Sequence, residues 1–411
     1  MSNKEELVPE LRFPEFQESG EWLRTTIGEV GRFYYGKSAP KWSLSSNAPT
    51  LCVRYGELYT KFDTIISEIT SRTNIDPSDL RFSKGGEILI PRVGEVPRDF
   101  AENVCYLPFP NIAIGEMISV YETTEYSIFY AYYFRTLWKQ FAEVVEGQNV
   151  KNLYYFNLEP ISIGKPSYLE QQKIASCLSS LDDLIGAHKV KLDALKNHKK
   201  GMMQNLFPRA GETVPKYRFP EFENDKEWEK KQIGKVFTTF SGGTPNTSEK
   251  EFYGGEIPFI RSAEINKNNT ELFLTKLGLE NSSAKLVKKG DLLVALYGAN
   301  SGDVAISKID GAINQAILCL KSDYSNSFTF HFLLLKKEWI ISKYIQGGQG
   351  NLSGDIIKSI EILYPKKNEQ KKIAACLSTL DELINAQTDK IEQLKSHKKG
   401  LMQGLFPKVS E

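Results

Sequence analysis

One segment occurs twice, and it constrains what the rest of the chain can become. EQQKIASCLSSLDDLIGAHKVKLDALKNHKKGMMQNLFP at 170–208 returns as EQKKIAACLSTLDELINAQTDKIEQLKSHKKGLMQGLFP at 369–407; at an offset of 199, 25 of the 39 positions are identical. A repeat period near half the chain length points to a duplicated domain, not a solenoid.

The apolar spacing says what the repeat does. In the first copy Ile174, Leu178, Leu181, Ile185, His188, Leu192, Leu195, Lys199, Met202 and Leu206 alternate by fours and threes. The second copy places Ile373, Leu377, Leu380, Ile384, Gln387, Ile391, Leu394, Lys398, Leu401 and Leu405 in the same frame. That is a sustained heptad seam, which predicts a coiled coil. Each helix should stop at the Leu-Phe-Pro that closes its copy. Ser167 and Glu170 form a capping-box pattern at the first start, and Asn368 is the candidate cap at the second. At about 1.5 Å per residue each helix is on the order of 55 Å long. Two equal seams in one chain are expected to pair with each other. An antiparallel pairing relates the halves by a two-fold axis and sets His188 opposite Gln387, a polar pair that fixes register.

A second repeated block opens each half: VPELRFPEFQESGEWLRTTIGEV at 8–30 and VPKYRFPEFENDKEWEKKQIGKV at 214–236. Proline should keep RFPEF extended, and Trp22 and Trp228 are candidate packing anchors. Each half thus reads RFPEF block, variable segment, long helix, LFP. The order is circular, so residues near the two ends should adjoin.

The variable segments, 31–160 and 237–360, hold short β-like runs between Gly, Asn and Pro, with one helical patch each, Ser127–Val145 and Phe328–Ile345. They keep a faint common frame. Tyr35-Gly36-Lys37-Ser38 lies opposite Ser241-Gly242-Gly243-Thr244, and Arg54 opposite Arg261. Gly86-Glu87-Ile88-Leu89 parallels Gly290-Asp291-Leu292-Leu293, Gly94 parallels Gly298, and Asn152-Leu153 parallels Asn351-Leu352. One fold is therefore expected twice, with different surfaces.

Composition narrows the class. The net charge of +1 excludes a bulk polycation but leaves room for local basic grooves. No run approaches the ~18 apolar residues of a membrane span, and MSNKEEL is not a signal peptide. The five cysteines show no metal-ligand spacing, so reduced thiols in a cytoplasmic protein are expected. Gly31-Arg32-Phe33-Tyr34-Tyr35-Gly36-Lys37-Ser38 fits the phosphate-loop pattern. Its interior is bulky, however, and a turn-rich stretch follows where the chemistry needs a helix N-terminus. His188, His198, His331 and His397 lie on helical patterns without a serine or cysteine constellation. No methyltransferase or nuclease spacing occurs, so a non-catalytic chain is expected.

Both repeats, together with SGGTP, YGANSG and Asn314-Gln315 in the second half, make the chain resemble the specificity subunit of type I restriction–modification systems. The resemblance covers essentially the whole length, although the first half departs from it where Tyr35–Pro40 and Arg92-Val93-Gly94 replace GGTP and Leu296-Tyr297-Gly298. It implies an α+β fold of two pseudo-symmetric mixed α/β target recognition domains separated by an antiparallel coiled coil. The implied segments are 1–165 and 209–364 for the domains, and 166–208 and 365–411 for the helical repeats. It further implies that each domain reads one half of a bipartite, asymmetric site in double-stranded DNA, while the helices set the spacing and dock two methyltransferase subunits. Restriction subunits join for cleavage. S-adenosylmethionine, ATP and magnesium then belong to those partners, and no cofactor or metal to this chain. A nucleotide-hydrolysing protein using Gly31–Ser38, or a coiled-coil scaffold that does not bind DNA, is the alternative.

Loop residues with suitable groups are the candidate DNA contacts. In the first domain these are Tyr35, Lys37, Lys41, Arg54, Arg92, Arg98, Gln148 and Lys151. In the second they are Thr244, Asn246, Arg261, Lys267, Asn300, Gln315 and Gln349. Arginine to guanine, and Asn or Gln to adenine, are the expected pairings. Gly242-Gly243 and Gly347-Gly348 read equally as turn glycines. Lys199-Lys200 and Lys398-Lys399 read either as DNA-backbone contacts or as solvated helix ends. Faces around Gln171–Lys173, Gln370–Lys372 and the HKKG turns are the expected docking surface for partner helices.

Overall fold

The structure, a computed structural model, describes residues 7–344 and 351–408. The chain forms two compact units, Met1–Lys189 with Lys390–Glu411, and Val190–Asp389. Both repeats are single 39-residue helices, Tyr168–Leu206 and Lys367–Leu405. The division between units falls within each of them.

In the first unit Gly31–Tyr35, Ile118–Thr123, Glu87–Pro91 and Cys105–Leu107 form an antiparallel sheet in that order. Glu87–Pro91 lies inside the sheet and is buried at every residue, which is why EILIP reads as a continuous apolar run instead of alternating. A second sheet has the order Arg72–Thr73, Thr50–Val53, Pro110–Ile114, Phe82–Lys84, with the middle two strands parallel. The second unit repeats the plan. Thr238–Ser241, Ile317–Lys321, Leu292–Ala295 and Val304–Ile306 form one sheet. Phe273–Leu274, Tyr253–Ile260, Gly311–Ile313 and Lys285–Val287 form the other, again with the middle two strands parallel.

The common frame extends to single backbone bonds. Arg92 N–H donates to Met117 O and Leu296 N–H to Ala316 O; Leu153 N–H donates to Arg92 O and Leu352 N–H to Leu296 O. Gly36 and its counterpart Gly242 are required by close approach, since a Cβ would stand 2.1 Å from Gly115 O and 1.7 Å from Ile313 O respectively. Gly242 is therefore no plain turn glycine.

Each unit contains an antiparallel pair of helical segments. In the first, Asp182 bonds Lys398, and Ile174 and Leu178 share a core with Leu405 and Phe406. In the second, Lys199 bonds Asp381, and Met203, Leu206 and Phe207 share a core with Ile373 and Leu377. No seam position is solvent-exposed, the polar His188 and Gln387 included. The phenylalanine of each Leu-Phe-Pro wedges into aromatic rings. Phe406 stacks on Tyr133 at 5.0 Å and meets Trp22 edge-on, while Phe207 meets Phe328 at 5.1 Å and Trp228 edge-on. Trp22 and Trp228 are both buried.

Several expectations need correction. Pro14 and Pro220 open 3-10 turns, Pro14–Phe16 and Pro220–Phe222, so RFPEF is extended only up to its first phenylalanine. The patch Ser127–Val145 is two helices, Ser127–Thr136 and Trp138–Glu143. The break at Leu137 brings Phe134 and Phe141 into one core, with ring centroids 6.1 Å apart. The patch at Phe328–Ile345 is one helix, Asn326–Tyr344, and Ile345 lies outside the described residues. Ser167 Oγ does accept from Glu170 N–H, yet the Glu170 carboxylate does not close a capping box. It takes a bidentate bond from Arg12 and one from Trp22 Nε1. Asn368 sits inside the second helix and does not cap it. The HKKG runs are helical, not turns. Gly31–Tyr35 is an extended edge strand paired in a sheet, so its backbone does not wrap into the amide-lined loop that a phosphate site needs. Nothing supports the nucleotide-binding alternative.

The expected neighbourhood of the circular order holds within the first unit: Leu11 N–H donates to Gly404 O, and Lys408 pairs with Glu10 at 2.6 Å. Tyr217 N–H to Asn205 O is the equivalent bond in the second unit.

Candidate nucleic-acid interface

In the first unit the candidates gather where the strand Glu87–Pro91 ends. Arg92 is pinned through both its N–H and its carbonyl. Its guanidinium lies over the Tyr35 ring at 4.5 Å and 5.5 Å from the Tyr154 ring. Its Nε is buried and has no hydrogen-bond partner. Tyr155 packs on Tyr35 at 4.6 Å, and Tyr154 stacks on Phe156, which is 55% exposed. Lys151 pairs in register with Gly94 just beyond Arg92, and Gln148 is exposed in the turn before it. Tyr154, Tyr155 and Phe156 were absent from the sequence candidates. The signal was there, three successive aromatics directly after Asn152-Leu153.

In the second unit Thr244 Oγ1 donates to Gln315 Oε1 at 2.5 Å, joining two candidates from separate loops. Asn246 is exposed and accepts from Ser248 N–H. Asn300 is half-buried in the turn Gly298–Asn300, Lys267 is exposed, and Gln349 lies outside the described residues.

Other candidates are engaged internally. Arg54 Nε donates to Ala39 O, and its N–H is capped by Glu57. The matching Arg261 forms ion pairs with Glu264 and Glu271, and its hydrogen bonds hold the Glu264 carboxyl down at about 2. Arg98 pairs with Glu102 and covers the Trp138 ring at 4.6 Å. Lys37 faces Ser78 O and Asp79, whereas Lys41 is exposed.

On the long helices, Lys199 is 8% exposed and paired with Asp381. Lys398 is bound by Asp182 and lies over the Tyr132 ring. Neither is a solvated helix end or a free phosphate contact; Lys200 and Lys399 remain exposed. Gln171 and Gln370 are buried. Each amide donates to the carbonyl of a preceding proline, Pro166 or Pro365, and accepts a backbone N–H, from Tyr126 or Ser325. They join helix to globule and offer no docking surface. Lys173 and Lys372 stay half-exposed, paired with Glu15 and Glu221.

His331, at the position equivalent to Tyr132, is buried with both ring nitrogens unpartnered, and Asp381 stands 3.9 Å from Nε2. Burial, with the Lys199 charge beside it, lowers its pKa to about 3. Among the described residues no group of side chains has metal-ligand geometry, and no helix is long and apolar enough to cross a membrane.

Residues 225–396 match the type I restriction modification DNA specificity domain. A protein of Methanocaldococcus jannaschii assigned as a type I restriction enzyme MjaX specificity subunit is 29% identical over 266 residues, 63% of this chain and 61% of that protein. The MjaIX specificity subunit of the same organism is 32% identical over 39% of each chain. The type I restriction enzyme EcoR124I/EcoR124II specificity subunit of Escherichia coli is 24% identical over 41% of this chain and 44% of that one. The chain spans about three fifths or less of the length of the curated relatives it matches. Among solved structures, the type I restriction–modification S subunit from M. genitalium aligns with 98% of this chain and 100% of its own, at a TM-score of 0.65 and 14% identity. A chain from a study of complex assembly in the type I system covers 94% of this chain and 97% of its own, with a TM-score of 0.57 and 16% identity. At such identities the likeness is one of fold, and it extends over both units and both long helices. Residues 225–396 thus carry the type I restriction modification DNA specificity domain, and the chain as a whole is similar in sequence and in fold to type I specificity subunits.

Proposed function

We propose that this chain is the sequence-reading, non-catalytic subunit of a type I restriction–modification complex. Each unit reads one half of a bipartite, asymmetric site in double-stranded DNA. The paired helices set the interval of unread base pairs and dock two methyltransferase subunits, and restriction subunits join for cleavage. S-adenosylmethionine, ATP and magnesium are bound by those partners, and the complex works in the cytoplasm. Methylating a base inside a duplex requires flipping it out, and that step falls to the methyltransferases.

The observation that carries this reading is a duplicated skeleton with unlike surfaces. The same backbone bonds recur at Arg92 and Leu296, yet one position offers a guanidinium among tyrosines and the other an aliphatic chain. A pair of scaffolds differing at such edges suits two different base sequences, because backbone contacts position a reader while side chains at base edges specify. The resemblance to specificity subunits supports the same reading.

The test is co-expression with the cognate methyltransferase subunits, followed by genome-wide mapping of methylated adenine. The expected result is one two-part motif with a fixed gap. Methylation without any sequence preference, or ATP turnover by the isolated chain, would overturn the proposal.

A further inference from the structure

We infer that Arg92 reads a guanine in the half-site of the first unit, and that the second unit has no such reader at the equivalent place. The inference rests on the base-reading function proposed above and goes further, naming a residue and a base.

Nine arginines fall in the first unit, and the partners of the others set Arg92 apart. Arg12, Arg32 and Arg98 hold carboxylates. Arg54, Arg72, Arg81 and Arg135 donate to main-chain carbonyls. Arg24 also has a partner. Arg81 and Arg98 also lie over rings, yet each keeps a carbonyl or carboxylate partner. Arg92 is met by two aromatic faces, and among the described residues no protein group accepts from its buried Nε. A guanidinium that only structured the loop would be expected to find a carboxylate or carbonyl, as the others do. One placed over rings has its plane fixed while its donors stay uncompensated. Guanine presents O6 and N7 as a flat acceptor pair in the major groove, and a planar fork of donors matches it bidentately. The Arg92 backbone, bonded on both sides, limits the slack with which the fork is presented. In the second unit Leu296 takes the same two backbone bonds and carries no donor. There the polar groups brought together are Thr244 and Gln315, which suit other base edges.

A phosphate, with two acceptor oxygens side by side, is the other bidentate partner an arginine could meet, and the experiment separates the two. The full chain, wild type or with Arg92→Leu or Arg92→Lys, is co-expressed with its methyltransferase subunits and methylated adenine is mapped. Arg92→Leu should leave the two-part motif intact except at one G·C position in one half, where discrimination falls roughly five- to 150-fold. Arg92→Lys should retain part of the preference, because lysine also reaches guanine O6 and N7. A motif unchanged at every position overturns the inference. If methylation then drops evenly at all sites, Arg92 is a phosphate contact; if it does not drop, Arg92 is structural. Degeneracy confined to an A·T position overturns it as well. Absence of any motif with the wild-type chain would instead remove the proposed function beneath it. Leucine already occupies this place in the second unit, so Arg92→Leu is compatible with the fold. If it does not accumulate, the lysine variant alone decides, since a motif with undiminished preference at every position would exclude a bidentate arginine.

Discussion

At the scale of single residues, the buried ion pairs Arg12–Glu170 and Arg218–Glu369 explain why RFPEF and the start of the long helix recur together. Each arginine is 8% exposed or less and each glutamate 1%. Removing one partner leaves an uncompensated buried charge, so Arg218→Ala should cost about 3–5 kcal/mol. Arg218→Met combined with Glu369→Leu should recover most of that, which thermal or denaturant melting of the full chain can check. His331 gives a pH prediction. Its pKa is about 3 when folded, well below the ordinary value of 6.5. The unfolded chain therefore takes up a proton that the folded chain refuses, and stability falls as pH drops from about 6.5 toward 3, by up to about 1.4 kcal/mol per unit. His331→Phe removes this term, so its melting temperature relative to wild type should rise as pH falls from 7 to 5. An advantage independent of pH would contradict the assignment. Sequence spacing marked Arg12, Arg218 and Glu369 only as members of repeats, and Glu170 as a capping-box residue. Their pairing joins residues 158 and 151 apart in the chain, and no local pattern announces such a contact.

At the scale of elements, the heptad frame was legible because a period near 3.5 leaves one face of a helix for burial, and those positions are the ones withdrawn from solvent. Leu178 lies on that face and is fully buried, whereas Leu184 is 42% exposed. Leu178→Ala should destabilise the chain by about 2–5 kcal/mol, and Leu184→Ala by no more than about 0.5 kcal/mol. Equal losses in a denaturant titration would show that the frame is misassigned. Helix starts and charged faces were not legible in the same way. The sequence of Gln171 is that of a surface residue, and the Pro166 carbonyl, the Glu125 carboxylate and the Tyr126 N–H around it satisfy the buried amide. Lys398 stands in the heptad frame while its charge suggests a solvated helix end, and the structure sets it over the Tyr132 ring against Asp182.

At the scale of the molecule, duplication permits a test of whether the variable segments act as independent readers. Replacing residues 237–360 with a copy of 31–160, between connectors that recur in both halves, should give a chain whose methylation motif contains the first half-site twice. A motif that keeps the second half-site would show that specificity resides elsewhere. The frame that licenses this exchange, with Gly36 opposite Gly242 and Arg92 opposite Leu296, was visible as sparse matches in the sequence and is fixed by shared backbone bonds in the structure.

Sequence alone determined the duplication, the two helices with their buried faces, the circular order of blocks and the resemblance to type I specificity subunits. All of these are written in local periodicity or in repeated strings. Tertiary structure decided which polar groups are free. Arg54, Arg261, Lys199, Lys398, Gln171 and Gln370 found partners inside the protein, and Arg92 was left among tyrosines with no acceptor for its buried Nε among the described residues. Whether a side chain faces DNA or its own fold depends on groups brought near from distant parts of the chain, and that proximity has no one-dimensional signature.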